Sequence, residues 1–409
     1  MGRQGSRWIV AALAGMAVAG CTSQVLSSSN PTSKEVLTEV WSYIKSEYVD
    51  GTFNGQDWWK VRQTFLGKPA DNAEQVYQLT GEMLKTLGDP YTRFLDPKQF
   101  KSLQTTTTGE LTGVGLQITV DTKSELPIVI AAVEGSPASR GGIRARDLIV
   151  AIDGEPTKGM KIDDVADHLR GQIGTKVTVK LQREAQTFEV NLTRATIEVN
   201  PVSFGRKPLN GQSVGYIRLS QFNANAASEV HRALEKLEAE GVTGYILDLR
   251  SNPGGLLQAA VEIARDFLPS GQVIVYTVNR QGQRDEARTE RGPLTAKPLV
   301  VLIDGGTASA SEILAGALQD NHRARLVGAK SFGKGLIQAI HPLKDGSGLA
   351  VSIARYQTPA RRDIHKKGIQ PDIKVPTPQD LTLEELTTTA DTQYAAALKA
   401  LGQTVASRS

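Results

Sequence analysis

The chain has 409 residues, with 47 Lys and Arg against 43 Asp and Glu for a net charge of +4. That length exceeds one ordinary hydrophobic core and implies two or three domains. The near balance of charge, with no basic block interleaved with aromatics, leaves no footprint for a nucleic-acid partner.

Arg3 and Arg7 flank the start of an apolar stretch, Trp8 to Ala19, which is short for a bilayer span and has the layout of an export signal. Val18-Ala19-Gly20-Cys21 resembles the bacterial lipobox, whose cysteine is acylated at the mature N-terminus; Ala17-Val18-Ala19 also fits ordinary signal cleavage. Cys21 is the candidate lipidation site and so a candidate membrane attachment. It is the only cysteine, so the folded part is expected to hold no disulfide, cysteine metal site or thiol nucleophile.

A polar tether follows, and the expected boundaries are residues 1–21 signal, 22–32 tether and 33–107 a helical domain. Thr32-Ser33-Lys34-Glu35 offers a capping box, with Val36, Val40, Trp41, Ile44 and Tyr48 on one helical face. A second helix is predicted from Asn72 to Leu87, stopped by Gly88 and Pro90. The Trp58-Trp59 pair reads as core.

From about Thr108 the pattern turns to short alternating strands with one interrupting helix, Ile162 to Leu169. Residues 108–196 are expected to form one domain. Gly113-Val114-Gly115-Leu116-Gln117-Ile118 and the run from Gly135 to Gly154 resemble the carboxylate-binding loop and the middle of a PDZ domain. The physics of the loop agrees: glycines let backbone N–H groups converge on a terminal carboxylate, and a tail can add as a strand beside Leu116 to Val120. Gly113, Val114, Gly115 and Leu116 are the candidate peptide-binding residues, with Arg170 a candidate charge facing the groove. The joining segments near Phe100 to Thr108 and Arg194 to Gly205 are the expected hinges.

Beyond Asn200 strands and helices alternate, as in an α/β core, residues 197–378, whose one mixed sheet is expected to include Val273 to Val278, Pro298 to Ile303, Leu326 to Gly328, Ile337 to His341 and Leu349 to Tyr356; a C-terminal segment, 379–409, follows. The predicted fold class is multidomain α+β. Two strand-to-helix turns stand out. One ends in Gly254-Gly255; in the other, Val300 to Ile303 leads through Gly305-Gly306 to Ser309 at a helix start. The second presents a hydroxyl at a rim beside unpaired N–H groups, although Ser309-Ala310-Ser311-Glu312 also fits a plain capping box. If the two strands are neighbours, the N–H of Ala310 and one from Gly254-Gly255, with Gly255 preferred, could form an oxyanion hole. Lys334 lies in a further glycine-flanked turn.

D-L-R-S-N-P-G-G, G-T-A-S-A-S-E-I, S-F-G-K-G and G-I-Q-P-D, after L-G-D-P-Y-T-R-F-L-D-P and the PDZ-like segment, together resemble a carboxyl-terminal processing peptidase of the tail-specific protease family. D-G-S-G-L-A-V-S-I-A-R-Y-Q-T-P is most similar to the oxygenic photosynthetic branch, where the family matures a photosystem II reaction-centre precursor. The resemblance implies Ser309 as nucleophile, Lys334 as general base and Gln338 as the amide that positions the lysine. The signal segment leads to the expectation of export to a periplasm or thylakoid lumen, the PDZ-like segment to carboxyl-terminal tails as partners, and the lack of a P-loop or metal-ligand spacing to no cofactor. Asp304 departs mildly, standing where many members have asparagine.

A lysine is a base only when neutral, so its pKa must fall from about 10.4 by burial. Phe332, Leu336 and Ile337 suggest an apolar setting, and no carboxylate lies within five residues of Lys334. A histidine mechanism through His322 fails, since thirteen residues of helix place it roughly 20 Å from Ser309. The same arithmetic sets Asp320, a third charge-relay candidate, roughly 16 Å away, where a structural role is expected. Glu312 is expected to hold the turn. The competing reading is a non-catalytic PDZ adaptor; intact Ser309 and Lys334 argue against it.

Overall fold

The computed structural model describes residues 34–121, 124–133, 135–198, 200–378, 381 and 385–406; the export signal and Cys21 lie outside them. The chain divides into two compact units, Met1–Gln104 with Val202–Ser409, and Thr105–Pro201.

The first unit begins with three helices, α1 (Glu35–Glu47), α2 (Trp58–Gly67) and α3 (Ala73–Lys85). α2 lies outside the helices predicted above: its stripe is only Trp58, Val61 and Phe65, and its start is fixed by Asp57, whose carboxylate accepts the N–H of Trp59 and Lys60. The tryptophan pair is not all core. Trp58 is buried, exchanging indole-to-carbonyl bonds with Trp41 (2.7 and 3.2 Å), whereas Trp59 is 54% exposed. Adjacent residues on a helix face different ways, so only one could point inward. β1 (Arg93–Leu95) and α4 (Pro97–Thr108) follow, the latter turning the segment expected as a hinge into helix.

The second unit contains β2 (Glu110–Gly113), β3 (Leu116–Val120), β4 (Pro127–Ala132), α5 (Pro137–Arg140), β5 (Leu148–Ile152), β6 (Glu155–Pro156), α6 (Ile162–Leu169), β7 (Lys176–Arg183), β8 (Gln186–Thr193) and β9 (Ala195–Glu198). Its antiparallel sheet runs β3-β4-β5-β7-β8, with β6 on β5, while β2 pairs β9 separately. Val114, Ile149, Val165, Val179 and Leu181 belong to a core of its own. β3 is an edge strand, and α6 lies beside it.

The first unit resumes with β10 (Val202–Leu209), β11 (Gln212–Leu219), α7 (Ala226–Ala239), β12 (Tyr245–Asp248), α8 (Leu257–Phe267), β13 (Val273–Asn279), β14 (Arg284–Arg288), β15 (Leu299–Ile303), α9 (Ala310–Asp320), β16 (Arg325–Gly328), β17 (Leu336–Pro342), β18 (Gly348–Gln357), β19 (Ile373–Lys374) and α10 (Thr392–Ala406). One sheet, β10-β11-β12-β15-β16-β19, is mixed: β10 is antiparallel and the others parallel. Leu299, Val301 and Ile303 of β15 join the core under α7, α8 and α9, while Val300 and Leu302 join the one under α10. Burial on both faces explains why β15 is apolar throughout.

The strands at Val273, Ile337 and Leu349 do not complete that sheet, as their order in the sequence suggested. They form a second, antiparallel sheet, β1-β18-β13-β14 with β17 on β18. Its β18 sends Leu349 and Val351 into the core of α1, α2 and α3, and Tyr356 into the core of α7, α8 and α9. The N-terminal helices are thereby tied to the strand that pairs with β17, the one leading away from Lys334.

Candidate active site

β12 and β15 are adjacent and parallel, Asp248 level with Leu302, so their two turns emerge together at the carboxyl edge of the sheet, the usual place for a site in an open α/β sheet. Asp304 ties them: its carboxylate accepts the Ser251 N–H (2.8 Å), the Ser251 hydroxyl (3.1 Å) and the Gly306 N–H (2.9 Å). Asn252 adds a second tie, its carbonyl receiving the Ala308 N–H (3.0 Å) and the Ser311 hydroxyl (2.9 Å).

Ser309 sits just ahead of α9 with φ 57° and ψ −117°, a strained conformation for a residue with a side chain, of the kind that persists where the surroundings impose it. Gly254 packs against it so closely that a Cβ there would lie 2.7 Å from the Ala308 carbonyl and 2.8 Å from both the Ala310 nitrogen and Ser309 Cβ. Gly254 is thus a spacer, and its own N–H is occupied, donating to Asn252 Oδ1 at 2.9 Å; of the candidate oxyanion donors this one drops out. On either side of Gly255 the chain bonds to Phe222, through the Gly254 carbonyl (2.9 Å) and the Leu256 N–H (2.7 Å). Alternation of the extended backbone turns the Gly255 N–H the other way.

Glu312, fully buried, organises the rest. One carboxylate oxygen accepts the N–H of Ser309 and of Lys334, each at 2.9 Å; the other accepts the Ser331 hydroxyl (2.6 Å) and the Gly333 N–H (2.7 Å). The Tyr356 hydroxyl donates to the Ser309 carbonyl at 3.1 Å. Two residues 25 positions apart in the sequence therefore hang from a single oxygen.

The Lys334 amine donates to Gln338 Oε1 at 2.9 Å and lies 5.1 Å from the centre of the Tyr91 ring. Gln338 in turn donates its amide N–H to the Tyr91 carbonyl. Burial pushes the lysine below its ordinary pKa and Arg93 adds to the fall, against the opposing pull of Asp89 and Glu312. The cause is only partly the one read from sequence neighbours: Phe332 is 57% exposed, and part of the cover comes from Tyr91. Two carboxylates do act on the amine, from remote parts of the chain. Tyr91, Asp89 and Arg93 belong to the D-P-Y-T-R motif, which carried the family resemblance but suggested no role. Asp320, the last residue of α9, pairs with Arg362 and accepts the Ala360 N–H (2.9 Å), a loop-holding role at the far end of the helix.

In the second unit, Gly113 to Ile118 line a groove of about 160 Å³ with Ala166, Leu169 and Arg170. The Val114 and Gly115 carbonyls turn inward, accepting the N–H of Ala138 and Val133 at 2.9 Å. Gly115 has φ +81°, and a Cβ there would fall 2.3 Å from Ser136 Cβ, so the loop admits only glycine. Arg170, half exposed, stands beside Gly113 and pairs with Asp167 at 3.0 Å. Among the described residues no group of metal-binding side chains occurs, and no helix is long and apolar enough to cross a membrane.

Comparison with known proteins fixes the context. Residues 213–375 match peptidase family S41 and 128–183 match a PDZ domain. A carboxyl-terminal-processing protease of Synechocystis is 49% identical, over 90% of this chain and 86% of its own. The chain belongs to the carboxyl-terminal-processing peptidases. The chloroplastic carboxyl-terminal-processing peptidase 2 of Arabidopsis thaliana is 44% identical over 83% of this chain and 68% of its own. A solved photosystem II D1 C-terminal processing protease is 40% identical, covers 91% of this chain and 97% of its own, and superposes with a TM-score of 0.57. As a carboxyl-terminal-processing peptidase with a PDZ domain, the protein is a serine endopeptidase, and the catalytically inert adaptor is set aside.

Proposed function

We propose that Ser309 is the nucleophile and Lys334 its general base, acting on substrates held by their free carboxyl terminus. The reading rests above all on the Glu312 carboxylate, whose one oxygen holds the backbone of both residues. Lys334, neutral and oriented by Gln338, takes the Ser309 hydroxyl proton as the oxygen attacks the substrate carbonyl. The oxyanion is met by the N–H groups of Gly255 and Ala310, at the positively polarised start of α9. The proton passes to the departing amine, and water, deprotonated by the same lysine, releases the acid from the acyl-serine.

Tail capture is assigned to Gly113, Val114, Gly115 and Leu116, with the substrate adding as a strand on β3 and Arg170 near the carboxylate. The likeness to the solved photosystem II D1 C-terminal processing protease supports a photosystem II reaction-centre precursor as the leading substrate class. The Arg3 to Cys21 segment supports export to a periplasm or thylakoid lumen, with attachment through a lipidated Cys21.

The test compares wild type, Ser309→Ala and Lys334→Arg on one unstructured substrate with a free or an amidated carboxyl terminus. Both variants should lose at least 10³-fold in kcat, and amidation should raise KM for the wild type. Equal turnover by Lys334→Arg would remove the base assignment; equal KM for both tails would remove tail recognition.

A further inference from the structure

The chain returns to the site from its far end. Arg250 stands two residues past β12 and opens the turn Ser251 to Gly255. It is 3% exposed, and its guanidinium is shared by two fully buried carboxylates. Asp248 accepts from Nε at 3.0 Å and from Nη2 at 2.6 Å. Asp391 accepts from Nη1 at 2.7 Å and from Nη2 at 2.8 Å. Asp391 immediately precedes α10, and the same carboxylate accepts the N–H of Tyr394 (3.0 Å) and Thr387 (3.2 Å), so one side chain caps the C-terminal helix and grips the loop. Gln393 extends the clamp, its Oε1 3.3 Å from Arg250 Nη1 and its Nε2 donating to the Val375 carbonyl at 3.0 Å.

The charges come close to cancelling: Arg218 lies 3.5 Å from Asp248, so two guanidiniums face two carboxylates. Bidentate pairing of this kind fixes direction as well as distance. Asp391 balances the second guanidinium and also adds an anchor outside the β12 turn. Tyr394, Ala397, Ala400 and Leu401 of α10 pack under the sheet against Ile246, Val300 and Leu302, making that anchor rigid.

We infer that Asp391 is a positioning residue for the reaction: through Arg250 it sets the turn from Ser251 to Gly255, and with it the Gly255 N–H, with the start of α10 as its support. The inference rests on the oxyanion assignment proposed above. It places no atom of Asp391 on the substrate.

The experiment uses the full chain carrying Asp391→Asn, Asp391→Ala or, as a control on the exposed face of α10, Lys399→Ala. For each, kcat and KM are measured on the free-tail substrate, and near-ultraviolet circular dichroism with a urea titration gives the folded fraction under assay conditions. Both Asp391 variants should lose fivefold or more in kcat per folded molecule. KM should stay within threefold and the pH midpoint of kcat/KM should not move, since Lys334 is untouched; Lys399→Ala should match wild type. Should Asp391→Ala not fold, Asp391→Asn, which keeps the shape and one acceptor, decides. A kcat loss below fivefold per folded molecule, or one that merely follows the unfolded fraction, overturns the inference. Ser309→Ala is assayed alongside. If it stays active the site itself is misread, whereas a dead Ser309→Ala beside fully active Asp391 variants removes only the role of the C-terminal helix.

Discussion

Lys334, the proposed base, is held where an ammonium is poorly hydrated, and that cost favours the neutral amine a base requires. Burial disfavours the charged amine, Arg93 adds repulsion, and Asp89 with Glu312 only partly compensates. If the neutral form is the active one, kcat/KM should rise with pH through a midpoint below the ordinary lysine value, and the titration of Lys334 should set that acid limb. Stability carries a mark of the same shift, with the same sign in pH. Between the folded and unfolded pKa values the unfolded chain holds more protons, so stability rises with pH across that window and the penalty is complete below it. Lys334→Met should therefore be inactive yet more stable at neutral pH, by about 1 kcal/mol, with the gain shrinking towards pH 10. Urea midpoints at pH 7 and pH 10 check it; a destabilised variant at pH 7 would mean that the amine is held by its bonds and not strained by burial. The sequence made the lysine and the serine legible because each sits in a glycine-flanked turn. It hid Tyr91, Arg93 and Tyr356, because nothing local relates a residue of the N-terminal segment to a turn hundreds of positions away, or one of β18 to a turn on the far side of β17.

The elements that shape the site are turns at the ends of strands, and glycine serves two separate purposes in them. At Gly254 the missing Cβ makes room for the strained Ser309 turn; at Gly115, with φ +81°, it keeps the carboxylate loop against Ser136. The two should fail differently when filled. Gly254→Ala displaces the nucleophile and is expected to lower kcat at least tenfold, while Gly115→Ala should raise KM for free-tail substrates and leave kcat on an amidated substrate near wild type. Steady-state kinetics on both substrates separate these effects, and a purely kcat effect of Gly115→Ala would place that loop outside tail capture. Element by element, the parallel strands and the helices with full apolar stripes were readable in the sequence. α2, α4 and α10 were not: α2 buries only three side chains, only Phe100 of α4 is buried, and half of the buried face of α10 is alanine, a weak apolar signal. Assigning β13, β17 and β18 to one sheet with β15 failed for another reason, since a pattern of alternation says that a strand exists and not which neighbour it pairs with.

At the scale of the molecule, each end of the first unit is packed on one of its sheets: α1 on β18, and α10 beneath the parallel sheet. The second unit enters after Gln104 and leaves at Pro201, and its core of Val114, Ile149, Val165, Val177, Val179 and Leu181 is drawn from its own strands and helices. A segment of that size with an independent core has what separate folding requires. Produced alone, Thr105–Pro201 should unfold cooperatively and bind a peptide with a free carboxyl terminus at least tenfold more tightly than the amidated peptide. The loop glycines and the open edge of β3 are both within it, so no group from the first unit is needed for that preference. Isothermal titration with the two peptides measures the ratio, and Gly115→Ala in the same fragment should abolish the difference. A folded fragment that binds both peptides alike would move recognition of the tail out of the PDZ domain and onto the peptidase unit.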